Sequence, residues 1–302
     1  MSRLAWSTVS AALALSLILA LADAEPSKTR LLLMIVGLYG ALLAAGSLLP
    51  RLDFYLPSAR RGSVDQPWVA LTFDDGPDPA ITPALLDLLR RERVPATFFC
   101  VGAAARQHPA LVAQAAADGH LIGNHSDQHG YGWTVAAPNQ VFAEFDAANQ
   151  TLAAILGDAP QFVRTPAGVS RPDLAETFAR LRLINVAWDV RGLELLYRDP
   201  ARIAARIARN ARNGSIILLH EAYYGTRIVE PSQALATTQL TIARLRARGF
   251  RLVRLDQLLK QPDYAATPVN VGWLPEAGAA LVEARINDIL PTLEDGVSRG
   301  ES

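Results

Sequence analysis

Two aspartates stand side by side in the run Thr72-Phe73-Asp74-Asp75-Gly76-Pro77, directly after an apolar stretch that begins at Trp68. Adjacent carboxylates repel one another unless a cation or an arginine compensates, and the Gly-Pro pair turns the chain away just beyond them. In a parallel α/β fold such a pair falls at the C-terminal edge of a strand, where active sites collect. From these six residues alone, a solvated turn is the better reading. The run His125-Ser126-Asp127-Gln128-His129 changes that balance, because two histidines four apart can present ring nitrogens on one side of a turn or loop. Borderline cations favour such donors. Together with Asp75, His125 and His129 make a His, His, Asp set, three protein ligands that leave a position open for water.

Two further runs carry usable chemistry: Arg164-Thr165-Pro166-Ala167-Gly168, and the apolar stretch Ile216–Leu219 that ends at His220. An arginine at a strand end can hold and orient a neighbouring carboxylate. A histidine at the end of a buried strand can exchange a proton near neutral pH. Taken singly, each also reads as a surface ion pair or an edge histidine. Composition narrows the classes. The 29 basic side chains are matched by 29 acidic ones, with no long basic run, which argues against a nucleic-acid partner. The single cysteine, Cys100, excludes an internal disulfide and a CxxC metal site.

The elements that must position these residues begin after Pro50. Short apolar strands alternate with amphipathic stretches, the pattern of an α/β domain. Strands are predicted at Trp68–Phe73, Ala96–Val101, His120–Ile122, Gln161–Val163, Ile184–Val190, Ser215–Leu219 and Arg251–Val253. Helices are predicted at Pro83–Arg91, Pro109–Ala117, Val141–Leu156, Leu174–Leu181, Pro200–Ala211 and Gln233–Arg248. About seven strand-helix units imply a barrel. Ahead of them, Leu4–Ala22 and Leu31–Leu49 are two nearly uncharged apolar runs, each about 28 Å long as a helix and close to the thickness of a bilayer core. They read as a transmembrane helical hairpin; Arg3, the first run and the triplet Ala22-Asp23-Ala24 also fit a cleavable signal peptide. The expected organisation is a membrane-anchoring segment over 1–50, a linker over 51–67, a catalytic domain over 68–260 and a C-terminal extension over 261–302, with one more helix expected at Gly278–Ile289.

These motifs resemble those of the polysaccharide deacetylases, also called the NodB homology domain or carbohydrate esterase family four. Thr72–Pro77, His125–His129, Arg164–Gly168 and Leu219-His220 are similar to four of the family's motifs, in order. Glu194-Leu195, following Trp188, is a partial match to another, which has Asp-Trp, and Ala167 stands where an aromatic residue is usual. The resemblance implies an irregular (β/α)7-type barrel and a hydrolase that removes N-acetyl, sometimes O-acetyl, groups from carbohydrate. It further implies that Asp75, His125 and His129 bind a divalent cation, zinc being the expected one, and that Asp74 is the general base, held by Arg164. The backbone N–H of Ala167 would bind the oxyanion, His220 would protonate the departing amine, and Glu194 would keep His220 protonated. The expected partners are an N-acetylated glycan, polymeric or lipid-linked, and the bilayer of a bacterial-type inner membrane, with the catalytic domain outside the cytoplasm. An O-acetyl esterase with the same site, or a non-catalytic carbohydrate-binding protein, are the alternatives. Tyr223, Tyr224 or Trp133 could replace the missing groove aromatics.

Overall fold

The computed structural model describes residues 26–194, 196–222, 224 and 230–259, together with Ala12. In chain order the strands are β1 (Trp68–Gly76), β2 (Thr97–Cys100), β3 (Leu121–Asn124), β4 (Phe162–Val163), β5 (Ile184–Asn185), β6 (Val190–Arg191), β7 (Ile216–His220) and β8 (Arg251–Leu252). The helices are α1 (Pro26–Leu48), α2 (Thr82–Glu92), α3 (Gly102–Gln107), α4 (Pro109–Ala117), α5 (Pro138–Leu156), α6 (Leu174–Leu181), α7 (Pro200–Asn210), α8 (Pro231–Ala247) and α9 (Leu255–Leu259). The described residues divide into two compact units, one within 58–167 and 183–259, the other within 26–57 and 168–182.

The first unit holds the sheet, ordered β5-β4-β3-β2-β1-β7-β6 with β8 added at the start of β1. Every strand pair is parallel. This half-barrel of parallel strands fits the expected (β/α)7-type architecture. Parallel strands are covered on both faces and so read as near-continuous apolar runs. On β1, Val69, Leu71 and Phe73 join Leu85, Leu86 and Leu89 of α2, Ile203 and Ile207 of α7, and Ile242 and Leu245 of α8 in the outer core. The opposite face places Ala70 with Phe99, Phe162, Ile216, Val253, Leu255 and Leu258. Helices start where the sequence allows it: α2, α4, α5, α7 and α8 each carry proline in the first turn, where the missing N–H costs nothing.

The structure departs from the sequence reading at four points. β1 runs three residues beyond Phe73 and includes both aspartates. The expected strand Ile184–Val190 is split into β5 and β6, because the carbonyls of Val186 and Ala187 accept from the Arg164 side chain at 3.3 and 3.2 Å and Ala187 N–H donates to Ala59 at 2.9 Å. α5 starts at Pro138 rather than Val141, with Gln140 Oε1 accepting the Ala137 N–H at 3.1 Å. The helices α3 and α9 were not expected.

In the second unit, the second apolar run forms most of α1. Its C-terminal end is covered locally: Tyr55 donates to the Leu43 carbonyl at 3.1 Å, and Phe54 lies so close to Gly46 that a Cβ there would meet its ring at 2.5 Å. Leu33, Met34 and Leu38 stay exposed. Among the described residues no helix is long and apolar enough to cross a membrane, and Leu4–Ala22, apart from Ala12, lies outside them. The expected transmembrane hairpin thus has no structural support. Gly278–Ile289 also lies outside the described residues.

Candidate active site

Chain geometry brings the chemical residues to one edge of the sheet. Asp74 and Asp75 end β1, His125 follows β3, Arg164 follows β4 and His220 ends β7. The register sets Asp74 beside His220. His125 N–H donates to the Cys100 carbonyl and Arg164 N–H to the Asn124 carbonyl, each at 2.9 Å, so the parallel ladder continues into the loops that carry these side chains.

The two aspartates have different partners. Asp74 Oδ1 accepts from Arg164 NH1 at 2.7 Å. The same guanidinium donates to Thr72 Oγ1 at 2.8 Å and lies 4.2 Å from the centre of the Phe99 ring, wholly buried. Asp75 Oδ1 faces His125 Nε2 at 3.2 Å and His129 Nε2 at 2.9 Å. Burial alone would raise the pKa of Asp75, yet the hydrogen bonds and charges of His125 and His129 hold its carboxyl well below the usual carboxylate range. His125 moves the other way. Burial works against its charged form, but Asp74 and Asp75 outweigh that and raise it.

His125 Nδ1 lies 2.8 Å from the Arg164 carbonyl. A carbonyl only accepts, so Nδ1 carries hydrogen and Nε2 is the nitrogen turned toward the carboxylates. The loop that follows is tightly specified. Asn124 Oδ1 accepts the Ser126 N–H at 2.8 Å and Ser126 Oγ the His129 N–H at 3.1 Å. Glu144 Oε1, on α5, accepts the N–H groups of both Asp127 and Gln128, at 3.0 and 2.7 Å. Arg106 grips Asp127 through both nitrogens, at 2.6 and 2.9 Å. These bonds hold Ser126 and His129 at φ of 66° and 53°, a region that ordinary residues occupy only when the surroundings impose it.

His220 is partly exposed, with Nδ1 3.8 Å from the buried Glu194 Oε1. That is an ion-pair separation rather than a hydrogen bond. Burial pulls His220 down, but Glu194, followed by Asp75 and Asp74, raises it overall. Ala167, exposed between the buried Pro166 and Gly168, has φ 53° and lies three residues beyond Arg164.

The structure therefore brings together Asp74, Asp75, His125, His129, Arg164, His220 and Glu194. Of the expected replacement aromatics, Trp133 is a correction: it is 5% exposed and packs edge-on against Phe145, so it belongs to the core. Tyr224 is half-buried, its ring 6.2 Å from that of His129. Leu195 and Tyr223 lie outside the described residues. Sequence reasoning missed Arg106, Glu144, Thr82 and Glu221; only Glu221, adjoining His220, stood near a recognised motif.

The C-terminal edge of this parallel α/β half-barrel thus carries a carboxylate, a His, His, Asp cluster and a further histidine. Residues 61–184 match the family model described as Polysaccharide deacetylase. The chain is 33% identical over 197 residues to the chitooligosaccharide deacetylase of Bradyrhizobium sp. (strain ANU 289), covering 63% of this chain and 90% of that one. It is 30% identical over 190 residues to the peptidoglycan-N-acetylglucosamine deacetylase PgdA of Listeria monocytogenes serotype 1/2a (strain 10403S), covering 63% of this chain but only 38% of that protein's length. The crystal structure of the Bc1960 peptidoglycan N-acetylglucosamine deacetylase, in complex with 4-naphthalen-1-yl-N-oxidanyl-benzamide, matches with a TM-score of 0.62 at 29% identity, covering 70% of this chain and 96% of that one. The chain belongs to the polysaccharide deacetylase family.

Proposed function

We propose that this chain is a metal-dependent hydrolase that removes N-acetyl groups from an acetylated glycan, a polysaccharide or a lipid-linked sugar. The observation that carries the reading is the division of labour between the two aspartates: Asp74 is held by Arg164, whereas Asp75 faces two imidazole nitrogens. The donor set fits a divalent cation, since one ligand atom from each of Asp75, His125 and His129 lies within 4.8 Å of the others, and His125 is oriented from behind by a carbonyl. When bound there, a divalent cation such as zinc would acidify a water and polarise the acetyl carbonyl.

The chain's own groups do the rest. Asp74, fixed by the Arg164 guanidinium, accepts the water's proton as oxygen adds to the acetyl carbon. The N–H of Ala167 donates to the carbonyl oxygen as it gains negative charge, a contribution of roughly 3–4 kcal/mol for one such donor. His220, kept protonated by Glu194, gives its proton to the nitrogen as the C–N bond breaks. Acetate and a free amine leave.

We further propose the 68–260 segment as the catalytic domain and the N-terminal segment as its anchor at a bacterial-type inner membrane, with the catalytic domain outside the cytoplasm. The exposed Leu33, Met34, Val36 and Leu38 of α1 support an apolar environment for that segment. The test is acetate release by the full chain from a panel of acetylated soluble and lipid-linked glycans, with and without a chelator. Release that the chelator stops and zinc restores is the expected result. Glycan binding without acetate release from any substrate would leave a carbohydrate-binding protein instead.

A further inference from the structure

Glu221 has no part in the chemistry above, yet it is only 1% exposed and directly follows His220 at the end of β7. Its Oε2 accepts from the Thr82 hydroxyl at 2.6 Å. Thr82 Oγ1 in turn accepts the Asp78 N–H at 2.8 Å. On the other side the carboxyl lies against Gly76, where a Cβ would come 1.4 Å from Oε1, so the chain can pass there only as glycine. The Glu221 N–H reaches the Asp74 carbonyl at 3.3 Å. The turn that runs from Asp74 to Thr82 is thus fastened to the end of β7 from both backbone and side chain.

A carboxyl so deeply buried is an expensive way to fill space, and an apolar side chain of similar size would cost less. Burial, with Asp78, Asp75 and Asp74 nearby, raises its pKa to about 8 against the opposing pull of Thr82. A role beyond packing is called for. The contacts run between β1, which bears Asp74 and Asp75, and β7, which bears His220. We propose that Glu221, acting through Thr82, is a positioning residue that fixes the β1 end against the β7 end and so sets the geometry of Asp74 and Asp75 relative to His220.

This rests on the reading of those residues as base, metal ligand and acid. Displacement by about 1 Å can cost on the order of 100-fold in rate, so a loosened turn should lower kcat while binding contacts elsewhere keep KM. The experiment compares Glu221→Ala, Glu221→Gln, Thr82→Val and Thr82→Ser in the full chain, by acetate release from a chitin tetramer and by the visible spectrum of the cobalt(II)-loaded protein. Glu221→Ala and Thr82→Val should lower kcat at least about tenfold with KM within about twofold, and should alter the cobalt spectrum through Asp75. Glu221→Gln and Thr82→Ser keep an acceptor and a hydroxyl, and should restore both readouts. Wild-type kcat and an unchanged cobalt spectrum in Glu221→Ala and Thr82→Val would overturn the proposal. If Glu221→Ala does not fold, Thr82→Val, which keeps the shape, decides alone. Absence of acetate release by the wild type from every soluble and lipid-linked glycan of the panel would count against the deacetylase reading, and the cobalt spectra would still decide the positioning role.

Discussion

Replacing Arg164 by methionine tests the central ion pair. The guanidinium is wholly buried and donates to Asp74 Oδ1 at 2.7 Å, Thr72 Oγ1 at 2.8 Å, and the carbonyls of Val186 and Ala187 at 3.3 and 3.2 Å. Methionine fills a comparable space against Phe99 but supplies none of these donors. Asp74, 3% exposed, would be left as a carboxylate without its cation, and breaking a buried pair in this way costs about 3–5 kcal/mol. With a urea slope of about 2 kcal/mol/M, that corresponds to a midpoint lowered by about 2 M. Asp74→Asn removes the other member and strands the guanidinium, so it should also destabilise. The double variant buries neither charge. Its loss should fall short of the sum of the single losses by at least about 2 kcal/mol, although Thr72 and the two carbonyls still lose a donor. Urea unfolding of the metal-free full chain, followed by circular dichroism, gives all four corners of the cycle. A loss below about 1 kcal/mol for Arg164→Met, or single effects that add to within about 0.5 kcal/mol, would refute the assignment of a tight buried pair.

Metal analysis should find about one divalent ion per chain, lost in His125→Ala; Asp74→Asn should keep the ion but lose turnover, whereas Asp75→Asn should weaken both, and equal ion loss in the two aspartate variants would contradict the separate roles given to them. His220 must be protonated to act as an acid and its pKa is raised, so kcat should fall as pH rises through that raised value; Glu194→Gln removes the largest raising influence and should move the alkaline limb to lower pH, and an unmoved limb would sink the pairing. His120 behaves oppositely: burial lowers it from 6.5 to about 4, so on acidification the unfolded chain takes up the proton first, and stability present above pH 6.5 should be lost toward pH 4. Urea midpoints across that window should show a shallower decline in His120→Gln, and parallel curves would contradict it. With Trp133 in the core and Ala167 lacking a ring, kcat/KM should be higher on a membrane-borne acetylated glycan than on soluble chitin oligomers; efficient cleavage of oligomers that Tyr224→Ala abolishes would instead make Tyr224 the groove aromatic.

What the sequence made legible was chemistry carried by residue type and short spacing. Asp74, Asp75, His125, His129, Arg164 and His220 stand in compact runs at the ends of apolar stretches, and parallel strands deliver their ends to a common edge. Proline marked the helix starts at Pro109 and Pro200 for the same local reason. What stayed hidden depends on distant contacts. Glu221 and Thr82 are 139 residues apart, and no pattern along the chain joins them. Glu144 looks like any exposed helix glutamate until the loop 16 and 17 residues before it returns to its carboxylate. The break between β5 and β6 follows from a side chain more than 20 residues upstream, since Arg164 claims the Val186 and Ala187 carbonyls.

The adjacency of Asp74 and Asp75 poses a steric problem that the strand end solves. Successive residues of a regular strand point to opposite faces. On β1, Phe73 faces the outer core and Asp74 the interior of the sheet's curve, so a regular Asp75 would point back among Leu85, Leu89 and their neighbours. A carboxylate there would be desolvated with no partner, at a cost of several kcal/mol. The register between β1 and β2 instead slips at this point: Asp74 pairs with Phe99 and Gly76 with Cys100, which leaves Asp75 as the extra residue. Its φ of 74° re-aims the side chain, as bulges beside active sites commonly do. Both carboxylates then reach the same edge of the sheet, but from backbone positions that differ enough for one to meet Arg164 and the other the two histidines. Under the proposed roles, separation of base from ligand resides in the bulge, and a substitution at Asp75 that favours regular extended backbone should disturb both at once.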